Sequence, residues 1–289
     1  MSVSAKSDAD FRAVARRKLL AELRPAPAVV AKRYLLSGGF LGLFCFCLWS
    51  FDFSPARTTT GVGRLGHVLS FMFPPHIWTN WASFQPVLEG LCQTLAMAFL
   101  GTLLGAAVAF PLSFLGAKNI NRYGIFRQGM RRGFDFIRTF ETLVLALIFI
   151  RAFGLGPLAG VLAIAVSEVG NLAKLFSEAI ENTSKKPVEG VRAAGGSRLQ
   201  EIRYGVLPQA SPVILSIILY TFESNTRTGT ILGVVGAGGI GFLLADRISA
   251  YRWDEAWSII FLIVVMVYLI DSLSAKLRAL LIGGWEGGK

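Results

Sequence analysis

Long apolar runs alternate with short polar stretches along this chain of 289 residues. The runs cover roughly residues 34–53, 87–115, 137–153, 157–176, 210–235 and 256–281. Most approach the ~20 residues that an α-helix needs to cross a hydrocarbon layer about 30 Å thick. The pattern predicts an all-α, polytopic membrane protein with six transmembrane helices. The second run is long enough to tilt, or to break near Pro111. The third and fourth runs are joined only by Gly154-Leu-Gly156, a tight turn. With 53% hydrophobic residues and a mean hydropathy of +0.56, no soluble domain of useful size is left over.

Charge then orients the runs. The formal net charge of +11 suggests a nucleic-acid binder at first sight, but the basic residues are distributed by side. Residues 1–33 form a basic arm with eight Lys/Arg, including Arg16-Arg17-Lys18. Five more follow the second run (Lys118, Arg122, Arg127, Arg131, Arg132) and five follow the fourth (Lys185, Lys186, Arg192, Arg198, Arg203). The C-terminal stretch adds Lys276, Arg278 and Lys289. Against these twenty-one stand five on the other side: Arg57, Arg64, Arg151, Arg247 and Arg252. The positive-inside rule puts both termini in the cytoplasm. The arm is long and no small-residue cleavage site follows the first run, so that run reads as a retained span and not a signal peptide. The organisation expected is a cytoplasmic arm over 1–33, a first span and external loop over 34–84, a transmembrane core over 85–281 and a cytoplasmic tail over 282–289. Trp78, Trp81, Trp253 and Trp257 suit an interfacial aromatic belt at the outer ends. Cys45, Cys47 and Cys92 read as small apolar fillers. His67 and His76 lack partners at ligand spacing and read as surface residues. No metal site and no nucleic-acid contact is expected.

One polar stretch between runs stands out, from Pro187 to Pro208. Pro187 suits the first turn of a helix, where its missing N–H is not needed. Gly195-Gly196 ends that helix. Ser197, with Gln200 three residues on, starts a second. Leu199, Ile202 and Val206 fall on one side of it. Two short helices meeting at a glycine corner on the cytoplasmic side are suited to docking against another protein. The residues Glu189-Gly-Val191, Gly195 and Leu207-Pro208 resemble the Glu-Ala-Ala-x-x-x-Gly … Leu-Pro loop of binding-protein-dependent ABC importers, with Gly190 and Val191 in place of the two alanines. The resemblance implies a type I permease fold. It also implies that Val188, Glu189, Gly190, Val191, Arg192, Ala193, Ala194 and Gly195 form a coupling helix seated in an ATPase subunit.

Charges inside a bilayer each cost about 2.5–3.5 kcal/mol, so those within the runs are functional candidates. The densest group is Glu223-Ser224-Asn225-Thr226-Arg227-Thr228. Glu223 and Arg227 are four apart with the acid first, the favourable order for an ion pair. Either the two neutralise each other structurally, or Glu223, Ser224, Asn225, Arg227 and Thr228 line a hydrated path. Glu168, Asn171 and Lys174 make one polar stripe in the fourth run, with Glu168 and Asn171 taken as further path candidates. Arg138, Glu141 and Thr142 open the third run, and Glu89 and Asp271 lie in the second and sixth.

The string Gly233-Val-Val-Gly236-Ala-Gly238-Gly239-Ile-Gly241 contains Gly-x-Gly-x-x-Gly, the spacing of a dinucleotide-binding turn. It follows a membrane run and not a strand, which excludes that reading. Gly236, Gly238, Gly239 and Gly241 instead suit a tight external turn that gates the path. Irregular backbone at membrane depth must be buried in protein or line a wet cavity. Phe222-Glu-Ser-Asn-Thr-Arg227 together with this glycine string resembles the permease subunit of phosphonate ABC importers, as does Gly154-Leu-Gly-Pro157-Leu-Ala-Gly160. That likeness covers roughly residues 85–280. It implies a bacterial inner-membrane permease that translocates phosphonate or a related small oxyanion. It implies as partners two ATP-binding subunits, a second copy of the chain, an extracytoplasmic solute-binding protein and the anionic substrate. The chain itself is expected to be no enzyme and to bind no cofactor, with ATP and Mg held by the ATPase subunits. The alternatives are the same class of permease carrying phosphate, phosphite or methionine, and an ion-coupled secondary transporter with Glu168 and Glu223 as relay groups.

Overall fold

A computed structural model describes residues 27–51, 53–73 and 75–286. Every regular element among the described residues is helical. Most of the basic arm, residues 1–26, lies outside the described residues. The chain divides into two units, 1–67 and 68–289.

In the first unit, α1 (Pro27–Ser50) is the first apolar run. It begins inside the stretch expected to be arm, so residues 27–33 are helical. Its side chains from Tyr34 to Trp49 include many exposed aromatic and aliphatic groups, as a lipid-facing helix would. A second helix, α2 (Pro55–Met72), occupies part of what the hydropathy pattern marked only as an external loop. Its start is visible in the sequence after all: the Ser54 Oγ accepts the Arg57 N–H at 3.2 Å, an N-cap bond.

The second unit holds α3 (Trp81–Gly116), α4 (Gly124–Ile137), α5 (Thr142–Phe153), α6 (Pro157–Glu181), α7 (Lys185–Ala193), α8 (Arg198–Gln200), α9 (Leu207–Leu232), α10 (Gly239–Ser249) and α11 (Trp253–Glu286). Two π-helical turns, Glu201–Val206 and Gly233–Ala237, flank α9. α3 runs unbroken through Pro86 and Pro111. α11 continues to Glu286, so the stretch expected to be a tail is helical as far as that residue.

The centre of this unit is the pairing of α3 with α6. The buried side of α3 is a row of small residues: Gly90, Thr94, Ala98, Gly101, Gly105, Ala109, Ser113 and Gly116. α6 answers with Gly160, Val161, Ile164, Ala165 and Ser177. Between membrane helices lipid offers no less apolar a surface than a neighbouring helix does. Close backbone approach, and not apolar bulk, therefore holds them together. A Cβ on Gly101 would lie 2.7 Å from Ile164, and one on Gly105 would lie 3.0 Å from the Ala165 carbonyl oxygen. Ser177 Oγ donates across the seam to the Ser113 carbonyl at 2.8 Å. Phe134, Leu172, Phe176, Ile180, Val206, Ala210 and Ile214 extend the packing at one end.

Among the described residues five helices are long and apolar enough to cross a membrane: Val30–Ser50, Trp81–Gly116, Pro157–Glu181, Arg198–Ala237 and Trp253–Leu280. The third apolar run differs from expectation. Its helix, α5, has 12 residues, about 18 Å at ~1.5 Å per residue, too short to cross alone. The crossing is completed by α4. Arg131 meets Glu181, Lys174 meets Asp135, and Thr142 meets Ser167. α4 and α5 therefore run antiparallel to α6 along its length, as one crossing broken at residues 138–141. The hydropathy pattern hid α4 because its charged residues mask its apolar face.

Candidate functional site

The elbow is built largely from local bonds. α7 starts at Lys185, two residues before Pro187, which falls within the first turn where no donor is required. At its end the Gly196 N–H bonds the Val191 carbonyl and the Gly195 N–H bonds that of Arg192. Gly195 has φ +80°. This is a Schellman end, with glycine in the left-handed region where a side chain would be strained. The coupling candidates thus divide: Val188 to Ala193 are helical, and Ala194 and Gly195 form the cap. The Gln200 Oε1 accepts the Ser197 N–H at 2.7 Å, as the capping pattern predicts. Arg192 and Glu201 form a two-pronged pair at 2.8 and 2.9 Å. The carboxylate beside it raises the Arg192 pKa above its ordinary value. Gly205 lies against Val188, where a Cβ would be 3.0 Å from the Val188 Cα. Between these pieces lies a cavity of about 510 Å³, walled by Ile120, Val188, Arg192, Leu199, Ile202 and Val206. Leu199 and Tyr204 are largely exposed.

The path candidates fall on two sides of α9. On one side, Asn225 is buried and its Nδ2 donates to Thr102 Oγ1 at 3.0 Å. Asn171 Nδ2 donates to Glu168 Oε2 at 3.1 Å, and the Asn225 amide also interacts with that carboxylate. Glu168, Asn171 and Asn225 are thus one cluster, completed by Thr102. Glu223 and Arg227, two residues away in each direction, point elsewhere, because two residues rotate a helix by about 200°. Glu223 does pair with Arg227, but at 3.8 Å. Its shorter partner is Arg278 of α11 at 3.0 Å, and Arg227 lies 3.5 Å from Asp271. Four charges of alternating sign, Arg278, Glu223, Arg227 and Asp271, thus link α9 to α11. The Thr228 hydroxyl donates to the Ser224 carbonyl at 3.3 Å. Lys174 leaves the expected stripe and bonds Asp135 at 2.7 Å.

The glycine string is a buried turn. Gly236 has φ +108° and Gly238 φ +82°. The Gly236 carbonyl accepts the Gly156 N–H at 3.2 Å, which ties this turn to the tight connection between α5 and α6. α10 then starts against α3: the Ile240 N–H donates to Thr94 Oγ1 at 3.0 Å and the Gly239 N–H to Gln93 Oε1 at 3.3 Å. A Cβ on Gly241 would fall 1.9 Å from the Thr230 carbonyl oxygen. Protein and not water covers this irregular backbone. His76 corrects its surface reading: its Nδ1 lies 3.5 Å from Asp254, and its Nε2 lies 4.0 Å from the buried Glu255.

Residues 101–282 match the family model described as binding-protein-dependent transport system inner membrane component. The chain belongs to that family. The chain is 37% identical over 222 residues, 77% of each chain, to a putative phosphite transport system permease protein, HtxC, of Stutzerimonas stutzeri. It is 48% identical over 117 residues to a putative cryptic phosphonate transport system permease protein, PhnE2, of Escherichia coli strain K12, covering 40% of this chain and 96% of that one. In structure it resembles the MetNI methionine ABC transporter in an inward-facing conformation, with a TM-score of 0.62 at 20% identity, over 70% of this chain and 99% of that chain.

Family membership makes the chain the inner-membrane permease of a binding-protein-dependent importer. ATP hydrolysis belongs to separate subunits. That sets aside the ion-coupled alternative. Within this permease, sequence reasoning missed Thr102, Thr94, Gln93 and Arg278. Thr94 and Thr102 were findable, since they sit on the small-residue row of α3. Arg278 was counted with the basic residues of the C-terminal stretch, and nothing local to it marks Glu223 as its partner.

Proposed function

We propose that this permease, as a homodimer with two ATPase subunits and an external solute-binding protein, moves phosphonate or a related oxyanion such as phosphite into the cell. The elbow from Lys185 to Val206 carries this reading. It offers exposed Leu199 and Tyr204, a cavity walled in part by Leu199 and a helix with no buried residue, which suits a second protein seated on it. The names of the relatives support the oxyanion. ATP-driven closure of the ATPases moves α7 (Lys185–Ala193) and switches the bundle between two packings. The charge count supports cytoplasmic termini and an external glycine turn. Among the described residues Arg227 is held by pairs at 3.5 and 3.8 Å, so it can exchange a carboxylate for an oxyanion in transit. Asn225, Glu168 and Asn171 form a second polar cluster, on the other side of α9.

The test is uptake of labelled phosphonate, phosphite, phosphate and methionine by cells expressing the permease with its partners. Uptake of a phosphorus oxyanion that stops when the ATPase is inactivated is expected. Uptake of methionine alone would overturn the cargo. Replacing Glu189 should leave ATP hydrolysis uncoupled from uptake, or prevent assembly. An Arg227→Ala permease that assembles yet transports normally would remove Arg227 from the path.

A further inference from the structure

The broken crossing leaves two charges exposed where a membrane protein can least leave them. Gly170 sits thirteen residues into α6, so about 20 Å from its start and ~16 Å from its end at ~1.5 Å per residue. A Cβ on Gly170 would lie 2.7 Å from the Phe134 carbonyl oxygen and 3.0 Å from the Arg138 amide nitrogen. The break between α4 and α5 therefore lies against the middle of a membrane-crossing helix. At that break Arg138 and Glu141 are both exposed. Among the described residues neither side chain has a hydrogen bond or an ion pair. Asp135, three residues before Arg138, is already held by Lys174 at 2.7 Å. Apart from Thr139, which is also exposed, the surface around the two charges is largely apolar: Phe136 is 65% exposed, Phe140 44%, Val144 48% and Ile148 54%.

Hydrocarbon cannot cover this face, because each charge would cost about 2.5–3.5 kcal/mol. An anion in a wet path would meet Arg138 but be repelled by Glu141 three residues on, and the aromatic and aliphatic surround is not a water lining. What does fit is a surface carrying the same two charges. In a two-fold dimer the same patch faces itself, so residue i of one copy meets residue j of the other, and the reverse.

We infer that Arg138 and Glu141 form two reciprocal ion pairs across the permease dimer, each arginine on the partner copy's glutamate, with Phe136, Phe140 and Val144 packed around them. This rests on the homodimer reading above and specifies its seam. Both copies cross the same membrane in the same sense, so the two-fold axis runs along the membrane normal and equal residues lie at equal depth. The long arginine side chain covers the few residues of offset to the partner's glutamate. Pairs closed in this way are desolvated and specify register, as complementary charges do at other interfaces.

The test uses the full complex with two differently tagged copies of the chain. Arg138→Glu and Glu141→Arg alone should each lower co-purification of the two tags, or uptake, by about thirtyfold or more, as loss of a buried charge partner does. The double variant carrying both changes should recover most of that loss. Independently of those variants' folding, copies bearing Arg138→Cys and Glu141→Cys, in a background without the three native cysteines, should form a disulfide-linked dimer on oxidation in membranes. Tags that co-purify from the wild type, with neither cross-link nor charge-swap rescue, would overturn this seam and leave the dimer standing. Wild-type tags that never co-purify would overturn the dimer and the seam together.

Discussion

The elbow at Lys185–Val206 and the turn at Gly233–Gly241 both bend the chain at glycines, yet their surroundings are opposite. No residue of α7 is buried, and the elbow's shape comes largely from bonds within itself: Gly196 to Val191, Gly195 to Arg192, Arg192 to Glu201. The glycine turn makes few such bonds. Gly233, Gly236, Ala237, Gly239, Ile240 and Gly241 are all buried, and Thr94, Gln93 and Gly156 supply their partners. A segment that carries its own bonds can shift as a unit and keep its form. A segment held by its neighbours moves only if they move. The first suits a part pushed by another protein. The second suits a fixed point about which helices pivot.

Substitutions at matched glycines break or sharpen this contrast, and the largest effect is expected at Gly241. A methyl group there would fall 1.9 Å from the Thr230 carbonyl oxygen and 3.0 Å from the Gly233 Cα. Both obstacles are backbone, so no side-chain rotation relieves them. Gly241→Ala should destabilise by more than about 3 kcal/mol, beyond ordinary overpacking. The readout is the yield of monodisperse permease in detergent and its unfolding midpoint. Wild-type yield and midpoint would mean that the turn is looser than these contacts require.

In the elbow a tightly placed counterpart is Gly205, where a Cβ would meet Val188 at 2.9 Å through its Cγ2 and at 3.0 Å through its Cα. Gly205→Ala should cost about 1–3 kcal/mol locally and tilt α7 away from the π-helical turn. Because α7 is exposed, the bundle should still fold. The measurement is a split between two signals: normal assembly and ATP hydrolysis, but uptake reduced about tenfold or more. Loss of assembly instead would mean that the elbow is as deeply tied to the core as the glycine turn.

Gly195 comes next. Its surroundings are open, with nothing within 4 Å of a Cβ, so only its φ of +80° opposes a side chain. Gly195→Ala should therefore cost about 1–2 kcal/mol by conformation alone. Gly195→Asn, a residue that tolerates this region, should recover part of it. Uptake measured on the two variants separates backbone conformation from side-chain contact. Equal losses would argue that a partner touches this corner.

How far these regions could be read from residues alone follows the same division. Gly195, Ser197 and Gln200 announced the elbow because caps depend on neighbours in sequence. The helix began two residues before Pro187 because the first turn accepts proline at more than one position. The Glu223–Arg227 pair was visible at i,i+4 spacing. Arg278, which binds Glu223 more closely, was not, since 55 residues separate the two. The glycine string was legible as a turn, but Thr94, Gln93 and Gly156, which hold it, are set by packing. Of the third crossing hydropathy marked the run that holds α5 but neither α4 nor the break, because α4 carries Arg127, Arg131 and Arg132 on the same short helix as Phe134.

The smallest effect is expected at Gly190, and it should have the opposite sign. Its place in the loop pattern is one that alanine fills in the wider group of importers, and nothing lies within 4 Å of a Cβ built there. It sits inside α7, where glycine is less favourable than alanine by roughly 0.5–1 kcal/mol. Gly190→Ala should therefore firm the helix slightly and leave the bundle untouched. If α7 is a rigid strut, a firmer strut should transmit no worse, and the ratio of ATP hydrolysed to substrate imported should stay the same or fall. If that ratio rises, α7 must bend to seat on its partner. The elbow would then work by yielding, and the contrast with the clamped turn would be one of stiffness as well as of burial.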